Sequence, residues 1–147
     1  PMHFIPGNKN NAYEVFHPDV VKNFDLMDKN KSPMQKIKSM SNIFSYIINL
    51  VKFNSGDNIP GVDDQIPILN YSLVRARPPR IYSNCKFMEL YIGDLKYKGE
   101  GNQLSQLFLI SKRMCEISHE SFINISKQEF DKKCKENEPE IFHEVEF

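Results

Sequence analysis

With 147 residues, 19 basic and 19 acidic side chains and a formal net charge of zero, the chain is long enough for one domain with its own core and lacks the global field that draws a protein to nucleic acid. Its three cysteines, odd in number and without a CxxC pair, are expected as reduced thiols and argue against a disulfide framework or a zinc site. No apolar run approaches membrane-spanning length and the first residues lack the layout of a signal peptide, so the expectation is a soluble domain of the cytoplasm.

Residues 1–31 read as a lead-in. Pro1 to Asn11, with two prolines, a glycine and three asparagines, is expected to be irregular. His17–Pro18 then opens a short helix through Met27, with Val20, Val21, Phe24 and Met27 as its apolar side, and Asp28–Lys31 is a polar break. Ser32 starts a clearer element. Ser32 as N-cap, Pro33 in the first helical position and Gln35 three residues after the cap form a capping box. Met34, Ile37, Met40, Ile43, Phe44, Ile47, Ile48 and Val51 follow at spacings of three and four, which predicts one long amphipathic helix. Lys36, Lys38, Ser41, Ser45 and Lys52 fall mostly on its other faces, and Gly56 ends it.

The stretch Gly61–Pro79, GVDDQIPILNYSLVRARPP, is apolar on most sides, which predicts the central buried helix of the domain. Pro67 is tolerated near its first turn, and Pro78 disfavours helical geometry at Arg77, where the helix ends. Asp63 and Asp64 stand at its start, where unpaired backbone N–H groups and the helix dipole favour negative charge. Two readings of the acid pair stay open: both cap the helix, or they present carboxylates where it emerges.

Ser83 is expected to cap a short helix through Ile92, packed by Phe87, Met88, Leu90 and Tyr91 and closed by Gly93. A loop over Gly93–Gly101 leads to a helix from about Asn102 that presents Leu104, Leu107, Phe108, Ser111 and Met114 on one face. Ser126 and Glu129 form a second capping box before a helix carrying Phe130 and Cys134, and residues 138–147 make an acidic tail. No strand signal competes. The predicted class is all-α, a layered bundle of about six helices, with the main domain over 32–137.

No hydrolase constellation is present: there is no G-x-S-x-G, and His3, His17, His119 and His143 are spaced with neither a cysteine nor an acid as metal ligands would be. Gly99-Glu100-Gly101 fails as a phosphate loop, because no strand precedes it, no lysine–serine pair follows and Glu100 repels phosphate. Arg75, Arg77, Arg80 and Lys86 gather around the Pro-Pro turn. They make either an ordinary solvated face near a helix C-terminus or a weak contact for an acidic partner or membrane surface.

Gly61, Asp63, Asp64, Ile66, Pro67, Tyr71, Ala76, Pro78, Pro79, Ser83 and Asn84 match in unbroken register the core pattern of a known family. Ser32-Pro33 with Lys36-Ile37, and Phe122–Phe130, agree as flanks. From Ser32 to about Lys135 the chain resembles the catalytic domain named for vacuolar protein sorting nine, whose members are guanine nucleotide exchange factors for Rab GTPases of the early-endosomal, Rab-five subgroup. The resemblance implies a layered helical bundle, work at the periphery of early endosomes, and no cofactor, metal or directly bound small molecule. It implies that Asp63 projects as an aspartate finger toward the GTPase nucleotide pocket, with Asp64, Pro67, Tyr71, Asn102 and Ser105 in the GTPase-binding set. Ser83 and Asn84 are expected to be structural caps. One position departs: where the family has Gly-Tyr-Tyr-apolar-Thr, this chain has Asn102 at the first Tyr and Ser105 at the Thr. Tyr97, five residues earlier, takes that place only if the loop folds back. The alternative to an exchange factor is therefore a catalytically weakened module that binds a GTPase or another trafficking protein, and a purely structural helical domain is a third.

Overall fold

The computed structural model describes residues 10–55, 61–121 and 124–136. The lead-in before Asn10, Gly56, Phe122 and the acidic tail lie outside the described residues. Six α-helices and two short 3₁₀ turns account for the secondary structure seen, with no strand among the described residues, as the apolar spacing predicted. They divide into two compact units, one ending at Cys115 and one starting at Glu116.

The first unit holds α1 (Asn10–Lys29), α2 (Pro33–Ser55), α3 (Val62–Ala76), α4 (Ile81–Tyr91), a 3₁₀ turn (Gly93–Tyr97) and α5 (Gly99–Cys115). Helix α1 starts ahead of the expected His17–Pro18 and carries Pro18 inside it, at the loss of one i→i−4 hydrogen bond. It is anchored by Val20, Phe24 and Met27, one face of a helix and all buried. Pro33 opens α2 as expected, and the N–H of Lys36 donates to the carbonyl of Ser32.

Helix α2 is the central one. Ile37, Met40, Ile43, Phe44, Ile47, Leu50 and Val51 are all buried, and α2 packs against α1, α3, α4 and α5. Helix α3, expected in that role, buries only Leu69, Ser72 and Leu73 fully, while Val74 is 43% exposed. Apolar residues on most sides told of low polarity, not of how many neighbours would cover them. A fully buried leucine such as Leu69 contributes roughly 1.5–3 kcal/mol, so one covered face is enough to seat α3.

Helix α3 ends at Ala76 as its Pro-Pro stop requires. Arg77 adopts the left-handed conformation (φ 47°, ψ 51°) and its N–H closes on the carbonyl of Leu73 at 2.9 Å. Helix α4 then begins at Ile81 with Arg80 as its N-cap residue, so Ser83, expected as the cap, lies inside its first turn. Helix α5 begins at Gly99, earlier than Asn102, because the expected loop is mostly the 3₁₀ turn.

The second unit contains a 3₁₀ turn (His119–Ser121) and α6 (Lys127–Glu136). The N–H of Glu129 donates to Ser126 Oγ at 3.2 Å, which realises the Ser126 half of the expected capping box. None of the residues of α6 is fully buried. Cys85 is buried, Cys115 and Cys134 are exposed, and all three are free thiols. Among the described residues no helix is long and apolar enough to cross a membrane.

Candidate functional site

The two acids at the start of α3 are not equivalent. Gly61 is the N-cap residue in an extended conformation, and its N–H donates to Asp64 Oδ2 at 3.1 Å. The N–H of Asp64 returns a bond to the carbonyl of Gly61 at 3.2 Å. Asp64 is thus committed to the cap, satisfying an otherwise unpaired donor. Asp63 is exposed, and no hydrogen bond or ion pair ties its carboxylate to a described residue. The two readings of the acid pair each apply to one member.

Pro67 follows Asp63 by four residues, so the two share a helix face. Lacking an N–H, Pro67 also leaves the carbonyl of Asp63 without its helical donor. Pro67 and Tyr71 are half-buried. The stripe Asp63–Pro67–Tyr71–Val74 therefore faces away from the side that carries Leu69 and Leu73. On α5, Asn102, Ser105 and Leu109 form a second exposed stripe at spacings of three and four. Ser105 Oγ donates to the carbonyl of Gly101 at 2.9 Å within its own helix. Helices α3 and α5 touch one another, but among the described residues no hydrogen bond joins the two sets. Ser41 of α2 donates to Gln103 Oε1 at 3.1 Å and so holds the first turns of α5.

Beyond the C-terminal end of α3, a polar cluster that sequence reasoning missed ties α1, α2 and α4 together. The Lys36 ammonium, buried rather than on an outer face, donates to the carbonyl of Met27 at 2.7 Å and to Asn84 Oδ1 at 2.8 Å. Asn84 Nδ2 donates to Asp28 Oδ1 at 3.2 Å. Arg80 grips the same carboxylate with two bonds, Nε to Oδ1 at 3.0 Å and Nη2 to Oδ2 at 2.7 Å. Unpaired carbonyls at the end of α1, a lysine of α2 and the start of α4 are joined at one point, directly after the Pro78–Pro79 elbow. Asn84 is structural as expected, though as a link between helices and not as a cap. The Arg80 guanidinium holds the Asp28 carboxyl below the ordinary carboxylate range, while burial pushes the Lys36 ammonium below the ordinary lysine range. Arg80 is thus paired with Asp28 while its side chain stays 66% exposed, so it remains at the surface with Arg75 and Arg77. The signal that could have exposed this cluster was a polar residue inside each of two apolar helix patterns, Lys36 and Asn84.

Among the described residues no cluster of His, Cys, Asp or Glu could hold a metal ion. The exposed stripes of α3 and α5 carry one carboxylate, that of Asp63, with no hydrogen-bond or ion-pair partner among the described residues.

The sequence from 17 to 111 matches the family model described as the vacuolar sorting protein 9 (VPS9) domain. Over 117 residues it is 26% identical to vacuolar protein sorting-associated protein 9A of Arabidopsis thaliana, covering 78% of this chain and 22% of that protein. It is 31% identical over 61 residues to GTPase-activating protein and VPS9 domain-containing protein 1 of Homo sapiens, covering 42% of this chain and 4% of that protein. A similar likeness, 31% over 78 residues, links it to receptor-mediated endocytosis protein 6 homolog of Drosophila pseudoobscura pseudoobscura, covering 53% of this chain and 4% of that protein. The chain spans less than a quarter of the length of each of these relatives.

Proposed function

Because the chain belongs to the VPS9 domain family, we propose that it is a guanine nucleotide exchange factor for a small GTPase of the Rab type, of the Rab-five subgroup, and that Asp63 is its catalytic group. The observation that carries the proposal is the division of labour between adjacent acids: Asp64 closes the cap through Gly61, while Asp63 stands exposed at the tip of α3. A carboxylate presented there can enter the nucleotide pocket of a partner, pair with the lysine that grips the diphosphate, and oppose the bound magnesium and phosphates. Two like charges about 4 Å apart repel by roughly 4 kcal/mol at an effective dielectric near 20, on the order of a thousandfold in a dissociation constant. GDP release then accelerates with no covalent step, because the chain binds the nucleotide-free GTPase better than the loaded one. Pro67 and Tyr71 of α3, with Asn102 and Ser105 of α5, supply the surrounding contact. The names of the relatives, with vacuolar sorting and receptor-mediated endocytosis in them, support a place in vesicle trafficking, at the cytoplasmic periphery of early endosomes. The exposed Arg75 and Arg77, with the Asp28-paired but exposed Arg80, add a weak attraction to an anionic membrane surface.

The test is release of labelled GDP from a panel of Rab GTPases by catalytic amounts of the chain. Acceleration is expected for a member of the Rab-five subgroup, with most of it lost in Asp63→Ala and most of it kept in Asp64→Ala. No acceleration anywhere in the panel sinks the proposal. The second reading, a binding module without exchange, is favoured by Asn102, which offers no aromatic area on α5. It predicts a complex whose affinity is the same with and without GDP.

A further inference from the structure

Between α4 and α5 lies a cleft of about 550 Å³, half open to solvent and lined by no residue of α3. Its volume falls within the range of small-ligand sites, about 300–1,000 Å³. Cys85, fully buried, sets the floor, and burial pushes its thiol up to about 12, so the floor carries no charge at neutral pH. Ile92, Leu104 and Phe108 make the walls, and Leu109, 51% exposed, the lip. One end is closed by main chain: the Lys96 carbonyl lies so close to Gly101 that a Cβ there would stand 1.9 Å from its oxygen. The turn before α5 is thereby clamped onto the helix, and the cleft is held open by backbone as well as by side chains. Charge is confined to the rim. The Lys86 ammonium sits 4.7 Å from the centroid of the Phe108 ring and 3.5 Å from Glu89 Oε2. That ion pair is long and exposed, so it contributes little and leaves Lys86 available. Lys96 springs from the end wall, and among the described residues its ammonium lies over the Tyr97 ring and in no ion pair.

We propose that the α4–α5 cleft is a binding site for a small amphipathic carboxylate, a medium-length acyl or aryl body that fills the apolar walls while its carboxylate meets Lys86 and Lys96. Two lysines border the cleft against one glutamate, so the rim favours a single negative charge. A neutral apolar molecule leaves those cations unused, and a small inorganic anion leaves the walls wet. Lysine suits the task, because its flexible four-carbon stem lets an ammonium rooted on the wall swing over the mouth. The site stands apart from the exchange reading and needs no GTPase.

The isotope-labelled chain is titrated with hexanoate, octanoate and decanoate, and its backbone amide NMR shifts are followed. Saturable shifts are expected at Gly101, Leu104, Ser105 and Phe108, with affinity rising about two- to fourfold per added methylene until the cleft is full. Octan-1-ol, with the same body and no charge, binds about threefold more weakly than octanoate. Lys86→Gln combined with Lys96→Gln removes that preference and leaves the affinity for octanol unchanged. Leu109→Glu puts a like charge on the lip and lowers the affinity for octanoate about tenfold or more. All three side chains are exposed, so the variants keep the core, and circular dichroism checks this. Shifts scattered over the surface, or equal affinity of wild type for octanoate and octanol, overturn the proposal. So does sedimentation of the chain with oleate-loaded neutral phospholipid vesicles in the absence of any octanoate shift at the cleft, which assigns the face to a lipid surface. Failure of the titrations leaves the exchange reading standing, because GDP release is measured without the carboxylate.

Discussion

Replacing Gly101 by alanine tests the clamp between the turn and α5. A Cβ at this position would lie 1.9 Å from the Lys96 oxygen, 2.4 Å from its carbonyl carbon and 2.6 Å from its Cα, against ordinary contact from 3.4 Å. The two backbones must separate by about 1.5 Å (3.4 minus 1.9), and both are main chain, so no side chain can swing aside. In an unstrained helix the change would gain up to about 1 kcal/mol, whereas overpacking of this kind costs about 1–3 kcal/mol. The bond from the Gly101 N–H to the Lys98 carbonyl, 3.2 Å long, is stretched as well, at roughly 1 kcal/mol. The net expectation is a loss of about 1–2 kcal/mol, read from urea midpoints at unchanged m-value. Gly99→Ala is the matched control, since a Cβ at Gly99 meets nothing within 4 Å, and it should be neutral or slightly stabilising. A Gly101→Ala chain as stable as Gly99→Ala would refute the close approach of the Lys96 backbone to α5.

Asn84→Ala removes the side chain that joins Lys36 to Asp28 and leaves a buried ammonium short of an acceptor, so a loss of about 2–4 kcal/mol is expected in the same denaturation assay. For pH, Asp28 has its folded pKa lowered chiefly by the Arg80 bond. Its contribution is therefore full above the unfolded carboxyl value of about 3.9 and is lost as pH falls through the lower folded value. Asp28→Asn should be less stable than wild type at neutral pH and show a shallower decline below about pH 4, by thermal melts across that window. Burial pushes the Cys85 thiol up to about 12, while Cys115 and Cys134 are exposed. Two of the three thiols should react promptly with a disulfide reagent at neutral pH, the third only on unfolding. Prompt reaction of all three would contradict the packing around Cys85.

Much of the fold is local, and local features are legible in a sequence. The Ser32–Pro33 start, the three-and-four spacing of Ile37, Met40, Ile43, Phe44 and Ile47, and the Pro78–Pro79 stop each act on the backbone within one or two turns. So the all-α class, the start of α2 and the limits of α3 could be read in advance, as could the acid pair at the tip of α3. What tertiary structure alone decided were matters of partnership between distant residues. That α2 and not α3 sits at the centre depends on how many helices cover each, which no single helix encodes. The capture of Lys36 by Met27 and Asn84 joins residues up to 48 apart, so their types were visible and their meeting was not. The same holds for Asp63 and Asp64, identical side chains one position apart. Only the turn at Gly61 selects the second for the cap and leaves the first facing solvent, because a backbone N–H can be satisfied by just the carboxylate that reaches back to it.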